Sequence, residues 1–232
     1  MLGIQKKNKK KVAIKISGKS NINEIVYLRR LKNVPGIPKL IGYWQHNYRL
    51  HYVITQRFGH MNLNQFVMNK NYIPPHYIHR IIHQLLSIVA CLDQFNILHC
   101  NIRCTNISID VSTLKIILTG FSSCLKLKHD YYYTKINHTN SYTLPEWLKF
   151  KRFTAKGLTV WTIVIVLYCL VYKKKPFYSK NSILHKQLSF PKKPNASLET
   201  LAFLNWCLTK NPNKRMSLVE MKIHPWITNS YI

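Results

Sequence analysis

Acidic residues are the scarcest class in this chain. It has 7 Asp plus Glu against 35 Lys plus Arg, a formal charge of +28 over 232 residues. The acids are Glu24, Asp93, Asp110, Asp130, Glu146, Glu199 and Glu220. Glycine is also sparse, with 7 residues. An AT-rich coding sequence would favour Lys, Asn, Ile and Tyr over Gly, but it would not by itself remove the acids. The 6 cysteines show no C-x-x-C pair and no regular spacing, which argues against a disulfide framework and for reduced thiols. His99, Cys100 and Cys104 are close in sequence, but the second ligand pair of a zinc finger is missing. The N-terminus carries no apolar signal segment. The most apolar run, Leu158 to Tyr172, falls short of the ~20 residues that span a bilayer. It is expected to be a buried helix with Lys173, Lys174 and Lys175 complementing its C-terminal dipole, so no transmembrane span is expected.

What is abundant is core-forming and basic. Hydrophobic residues make up 47% of the chain, with 14 Tyr, 9 Phe and 5 Trp, ample for a packed domain. The positive field attracts polyanions, whether nucleic acid, anionic membrane or an acidic protein face.

Along the chain, residues 1–11 read as a basic tail, solvated or serving as a nuclear address. Val12 to Ile16 reads as a strand, and Asn23 to Leu31 as a helix with Asn23 as its cap. Pro38 to Trp44 and Leu50 to Thr55 read as strands divided by a turn at Gln45-His46-Asn47. After Phe58-Gly59 the pattern turns helical, with a short helix over Met61 to Asn69. A long amphipathic helix then opens at Pro74-Pro75, with Ile78, Ile81, Ile82, Leu85, Leu86, Val89 and Leu92 on one face. Asn96 to Asp110 and Leu114 to Leu118 read as loop and hairpin, and Lys126 to Tyr142 as a long polar surface loop. Leu198 to Leu208, capped by Ser197, and Met216 to His224 read as the closing helices.

Several motifs in this order resemble the eukaryotic protein kinase family over nearly the whole chain. Val12-Ala13-Ile14-Lys15 resembles the strand-borne V-A-I-K, and Glu24 resembles the helical partner of its lysine. His99 to Asn106 stands where the family has H-R-D-L-K-x-x-N. Leu114 to Gly120 is similar to L-K-L-I-D-F-G, which sets Leu118 at the Asp position. Leu144-Pro145-Glu146 resembles A-P-E. Val160-Trp161-Thr162 and Lys175-Pro176-Phe177 bracket the buried helix, and Arg215 and His224-Pro225-Trp226 resemble the closing motifs. Pro145-Glu146-Trp147, Trp206-Cys207-Leu208 and His224-Pro225-Trp226 look most like the PIM group of Ser/Thr kinases.

The resemblance implies an α+β bilobal fold. The kinase-like domain would run over 12–232, with a truncated β-rich N-lobe at about 12–56 and a mainly helical C-lobe at about 57–232. It also implies structural roles for Glu146, Arg215 and Trp161, with Glu146 and Arg215 pairing. Lys15 and Glu24 would form a strut, and Lys15, Glu24 and Asn106 would be what is left of the nucleotide site.

The departures point away from catalysis. The family's proton-accepting Asp is Asn101, an amide that orients a hydroxyl but does not act as a base. The Mg²⁺-holding Asp falls on Leu118, which has no ligand atom. Only 14 residues, with a single glycine, precede Lys15, so the phosphate-covering loop is expected to be absent or much reduced. No metal is expected, and ATP without Mg²⁺ stays open. Three functions are left: a pseudokinase binding an acidic protein partner (another kinase or its substrate), a divergent Ser/Thr kinase using Arg103 in place of a metal, or a nucleic-acid binder stacking bases on Tyr131, Tyr132 and Tyr133. An intracellular location, cytoplasmic or nuclear, is expected.

Overall fold

The computed structural model describes residues 2–4, 11–17, 22–46, 49–55, 61–136, 141–192 and 196–229. Strand β1 (Leu2–Ile4) pairs antiparallel with β2 (Lys11–Ser17), and helix α1 (Ile22–Arg30) follows. Strands β3 (Leu40–His46) and β4 (Arg49–Thr55) complete an antiparallel sheet of order β1-β2-β4-β3. Part of the expected basic tail is therefore a sheet strand. Alternating Leu2 and Ile4 supply the pattern, and Lys11 belongs to β2. Asn23 is not a cap, because α1 begins one residue before it. Strand β3 starts at Leu40 rather than Pro38, as a proline offers no N–H to a ladder. Gln45 and His46 prolong β3 opposite Leu50 and Arg49, so the turn shifts to residues 47–48, outside the described residues. Phe58-Gly59 and the boundary at 56–57 also lie outside them.

The helical part begins with β5 (Met61–Asn62) and α2 (Leu63–Asn69), where Asn62 and Gln65 form a reciprocal capping box. In α3 (Pro75–Gln94) all seven apolar positions expected on one face are buried, and Pro75 at N1 needs no hydrogen-bond partner for its nitrogen. Strand β6 (Ile97–Leu98) leads into a 3₁₀ turn at Cys104–Asn106, then the hairpin β7 (Ile107–Ile109) and β8 (Ile116–Leu118). A second 3₁₀ turn, Phe121–Ser123, precedes β9 (Leu125–Lys126) and β10 (Tyr132–Tyr133). The segment expected to be a plain surface loop thus carries two short strands. Its Tyr133 and Tyr142 are buried.

Helix α4 (Pro145–Phe150) and β11 (Phe153–Thr154) come next, with β11 pairing to β10. Helix α5 (Ala155–Tyr172) has 15 of its 18 residues buried and is the only described helix long and apolar enough to cross a membrane. It is a core helix instead, starting three residues before the apolar run because Thr154 caps the Gly157 N–H. Inside the core, Thr159 and Thr162 satisfy their hydroxyls on the Ala155 and Leu158 carbonyls at 2.9 and 2.8 Å. Helices α7 (Leu198–Cys207, capped by Ser197) and α8 (Leu218–Ile223) pack on it, α6 (Lys180–His185) packs on α4, and α9 (Pro225–Thr228) packs on α7 and α8. Met216 and His224 lie just outside α8, because Ser217 and Glu220 form its capping box.

Candidate functional site

Strand β2 and helix α1 bring the first pair together. Lys15 Nζ donates to Glu24 Oε2 at 2.7 Å, with the Glu24 side chain buried and the Lys15 side chain 42% exposed. Glu24 sits in the first turn of α1, where the helix dipole favours a carboxylate. The contact ties the sheet to the helix.

On the other side of the site, His99 organises the loop to Asn106. The Asn101 N–H donates to His99 Nδ1 at 3.3 Å, so the ring proton lies on Nε2 and is shared with the Thr119 carbonyl at 3.0 Å. Burial pushes the imidazole down to about 4, and the edge of Phe121 packs on it at 5.0 Å. Asn106 Nδ2 donates to the Asn101 carbonyl at 2.8 Å. The Asn106 carbonyl in turn accepts the Thr119 N–H at 2.7 Å and its hydroxyl at 3.0 Å. Asn101 is thereby held at the loop apex, but as an amide it carries no proton acceptor of useful basicity.

The position of the missing metal ligand needs correcting. Leu118 has no exposed surface, pairs with Ile107 in the β7–β8 hairpin, and gives its N–H to the Gly36 carbonyl at 2.8 Å. Its side chain belongs to the core and not to the site. The residue facing Asn106 is Gly120, left-handed at φ 88°, where an added β-carbon would stand 2.9 Å from Asn106 Nδ2. The resemblance to D-F-G therefore belongs on Gly120-Phe121-Ser122, with Phe121 buried against His99. The sequence signal for this register is Phe121 itself, which competes with the match of Leu114-Lys115-Ile116-Ile117 to the other.

Neither register supplies a carboxylate, and the other acids do not make up the loss. Glu24 holds Lys15, Glu146 holds Arg215, Glu220 caps α8, and Asp110 accepts from Ser112 and Thr113 in the β7–β8 turn. Asp93 and Asp130 line a cavity of about 130 Å³ together with His99 and Lys128, which Asn101, Asn106 and Gly120 do not line. Glu199 lies in the first turn of α7. Among the described residues no group of three or more His, Cys, Asp or Glu could hold a metal. Mg²⁺ prefers carboxylate and phosphate oxygens in octahedral geometry, and the residues at Asn106 and Gly120 do not fit it. His99, Cys100 and Cys104 do not converge either. His99 serves Thr119, the Cys100 thiol leans on the Leu98 carbonyl, and the Cys104 N–H donates to the Tyr142 hydroxyl at 3.4 Å.

Two further sets of residues bear on function. Arg215 and Glu146 form a buried two-pronged pair at 2.7 and 2.8 Å, with the guanidinium 4.8 Å over Trp161. Gly157 leaves room for that pair against α5, since a β-carbon there would stand 3.2 Å from Glu146 Oε1. In the loop after Asn101, Arg103 Nε is buried with no partner among the described residues.

The tyrosine trio does not act as one platform. Tyr133 is buried, donates to the Lys126 carbonyl at 2.9 Å and stacks on Phe153. Tyr131 and Tyr132 are exposed, but Lys128 lies 4.5 Å over one and Arg152 5.0 Å over the other. Lys126 and Lys135 are exposed beside them.

Comparison with known proteins gives the same frame. The family model described as a protein kinase domain matches residues 1–227. Serine/threonine-protein kinase pim-2 of Danio rerio is 28% identical over 218 residues, covering 90% of this chain and 69% of the relative. Serine/threonine-protein kinase 1 of African swine fever virus (strain Badajoz 1971 Vero-adapted) is 29% identical over 205 residues, covering 88% and 67%. Serine/threonine-protein kinase ULK3 of Xenopus laevis is 26% identical over 235 residues, covering 93% of this chain and 49% of that one.

Proposed function

Since this chain belongs to the protein kinase domain family, we propose that it is a pseudokinase, a kinase-fold protein that works by binding an acidic protein partner and does not transfer phosphate. The observation that carries this reading is the Asn101, Asn106 and Gly120 constellation. It offers two amides and a hydrogen where phosphoryl transfer needs a proton acceptor and a metal-holding carboxylate. A general base alone is worth ~10²–10⁴-fold, so these losses together remove most of the rate the fold supplies.

The partner follows from charge. Against 35 Lys plus Arg the chain has 7 acids. Among the described residues two ion pairs form, Lys15–Glu24 and Arg215–Glu146. A surface left so unbalanced favours a negatively charged face, such as that of another kinase or a kinase substrate. The unpaired thiols suit a reducing, intracellular compartment.

A phosphotransfer assay with Mg²⁺ or Mn²⁺ tests the proposal. No turnover above background is expected, and Lys15-dependent turnover would sink it. Two observations favour a second reading, a divergent Ser/Thr kinase working without metal. The Lys15–Glu24 pair is intact and Arg103 Nε has a spare donor for an anion. That reading requires metal-independent turnover lost in Lys15→Ala.

A further inference from the structure

The segment from α4 to β11 concentrates cations and apolar surface in one place. Lys149, Lys151 and Arg152 are exposed, and between them Phe150 is 62% exposed. Pairing of β10 with β11 sets Tyr132 opposite Thr154, so Arg152, two residues before Thr154, lies across its ring at 5.0 Å. Tyr132 is itself 55% exposed. Lys210 adjoins the same face, and after partial burial, the charge of Lys149 helps to push its ammonium below the usual range.

One exposed carboxylate, Asp130, adjoins these groups, on the cavity it lines with Lys128, Thr154 and Lys156. Over residues 131–136 and 143–156 the one acid is Glu146, buried and committed through both oxygens to Arg215. Crowding more like charges than the nearby acid can balance costs self-repulsion, which a bound polyanion relieves. Exposed aromatic rings flanked by Arg are also the side chains that most often anchor protein interfaces.

From this arrangement we propose that Tyr132, Lys149, Phe150 and Arg152 form the docking surface for an acidic peptide segment of the partner protein. This rests on the binding role inferred above and names its site. A peptide fits better than a nucleic-acid strand for a geometric reason. One face of the Tyr132 ring already carries Arg152, leaving less ring for a base to stack on. A guanidinium laid on a ring still directs its N–H fork outward, matched to a carboxylate.

Fluorescence anisotropy with a labelled Glu-rich peptide, beside a single-stranded oligonucleotide of equal charge, tests it on the full chain. Lys149→Glu with Arg152→Glu should weaken the peptide about 10-fold or more, and Phe150→Ala about 5-fold. The control pair Arg80→Glu with Lys115→Glu, the same charge change on α3 and the β7–β8 turn, should change it less than about 2-fold. Equal weakening by both pairs would overturn this surface while leaving an acid-binding role standing. No binding of the peptide to the wild type would overturn both. Tighter binding of the oligonucleotide, lost in the same variants, would give the surface to nucleic acid instead.

Discussion

Gly120 and Asn106 face each other so closely that a β-carbon on the glycine would stand 2.9 Å from the amide nitrogen of the asparagine. That nitrogen is already committed to the Asn101 carbonyl at 2.8 Å. The Asn106 side chain thus lies between the Asn101 main chain and Gly120, and neither Asn106 nor Gly120 carries a carboxylate. Losing the carboxylate at a glycine leaves backbone and neighbours in place, so the frame persists without its chemistry.

The two candidate positions for the lost aspartate separate by stability. Leu118→Asp puts an unpaired carboxylate into a fully buried site and should cost about 3–5 kcal/mol. Gly120→Asp keeps a left-handed backbone that Asp tolerates better than most residues, but its β-carbon forces Asn106 to shift, so it should cost about 2 kcal/mol. Urea denaturation of both variants reads the difference, and equal losses would contradict the Gly120 register.

Arg215→Leu should destabilise by about 3–5 kcal/mol, because it leaves Glu146 buried with neither of its two hydrogen bonds to the guanidinium. Replacing both partners with apolar residues of similar volume should recover most of that loss. Chemical denaturation of the single and double variants measures it.

Lys15→Met should cost about 1–2 kcal/mol, since it removes a charge-assisted hydrogen bond to the buried Glu24 carboxylate. Glu24→Gln in the same background should restore part of it. A double-mutant cycle on thermal or urea unfolding gives the coupling, and a coupling near zero would remove the strut between β2 and α1.

His99 gives a pH signature. Its folded value is about 4 against an ordinary 6.5, so the unfolded chain takes up the proton first as pH falls. The penalty is absent above pH 6.5, grows between pH 6.5 and 4, and levels off below that. It amounts to about 3 kcal/mol. His99→Gln should show a shallower loss of stability over that window in urea melts.

Much of this frame was legible in the residues, for physical reasons. Helix α3 wrote its buried face at helical spacing from Ile78 to Leu92, and α5 announced itself by being apolar all round. The meeting of Glu146 with Arg215, 69 residues apart, came from the family resemblance and not from any local pattern. What escaped depends on tertiary placement. Tyr133 looks identical to Tyr131 and Tyr132 in sequence, yet pairing of β10 with β11 turns it inward against Phe153. Leu2 and Ile4 are too short a run to declare a strand until β2 accepts them. Leu118 and Gly120 sit two residues apart, and only the fold decides which side chain position looks at Asn106.

The central claim is that the site lacks its metal carboxylate, and that the vacancy is at Gly120. Isothermal titration of ATP with and without Mg²⁺, on wild type and Gly120→Asp, tests it most directly. Mg²⁺ should leave wild-type nucleotide binding unchanged within about 2-fold, whatever its strength, and should tighten binding to Gly120→Asp by about 10-fold or more. Mg²⁺-dependent binding in the wild type, unaltered by an aspartate at position 120, would contradict the account.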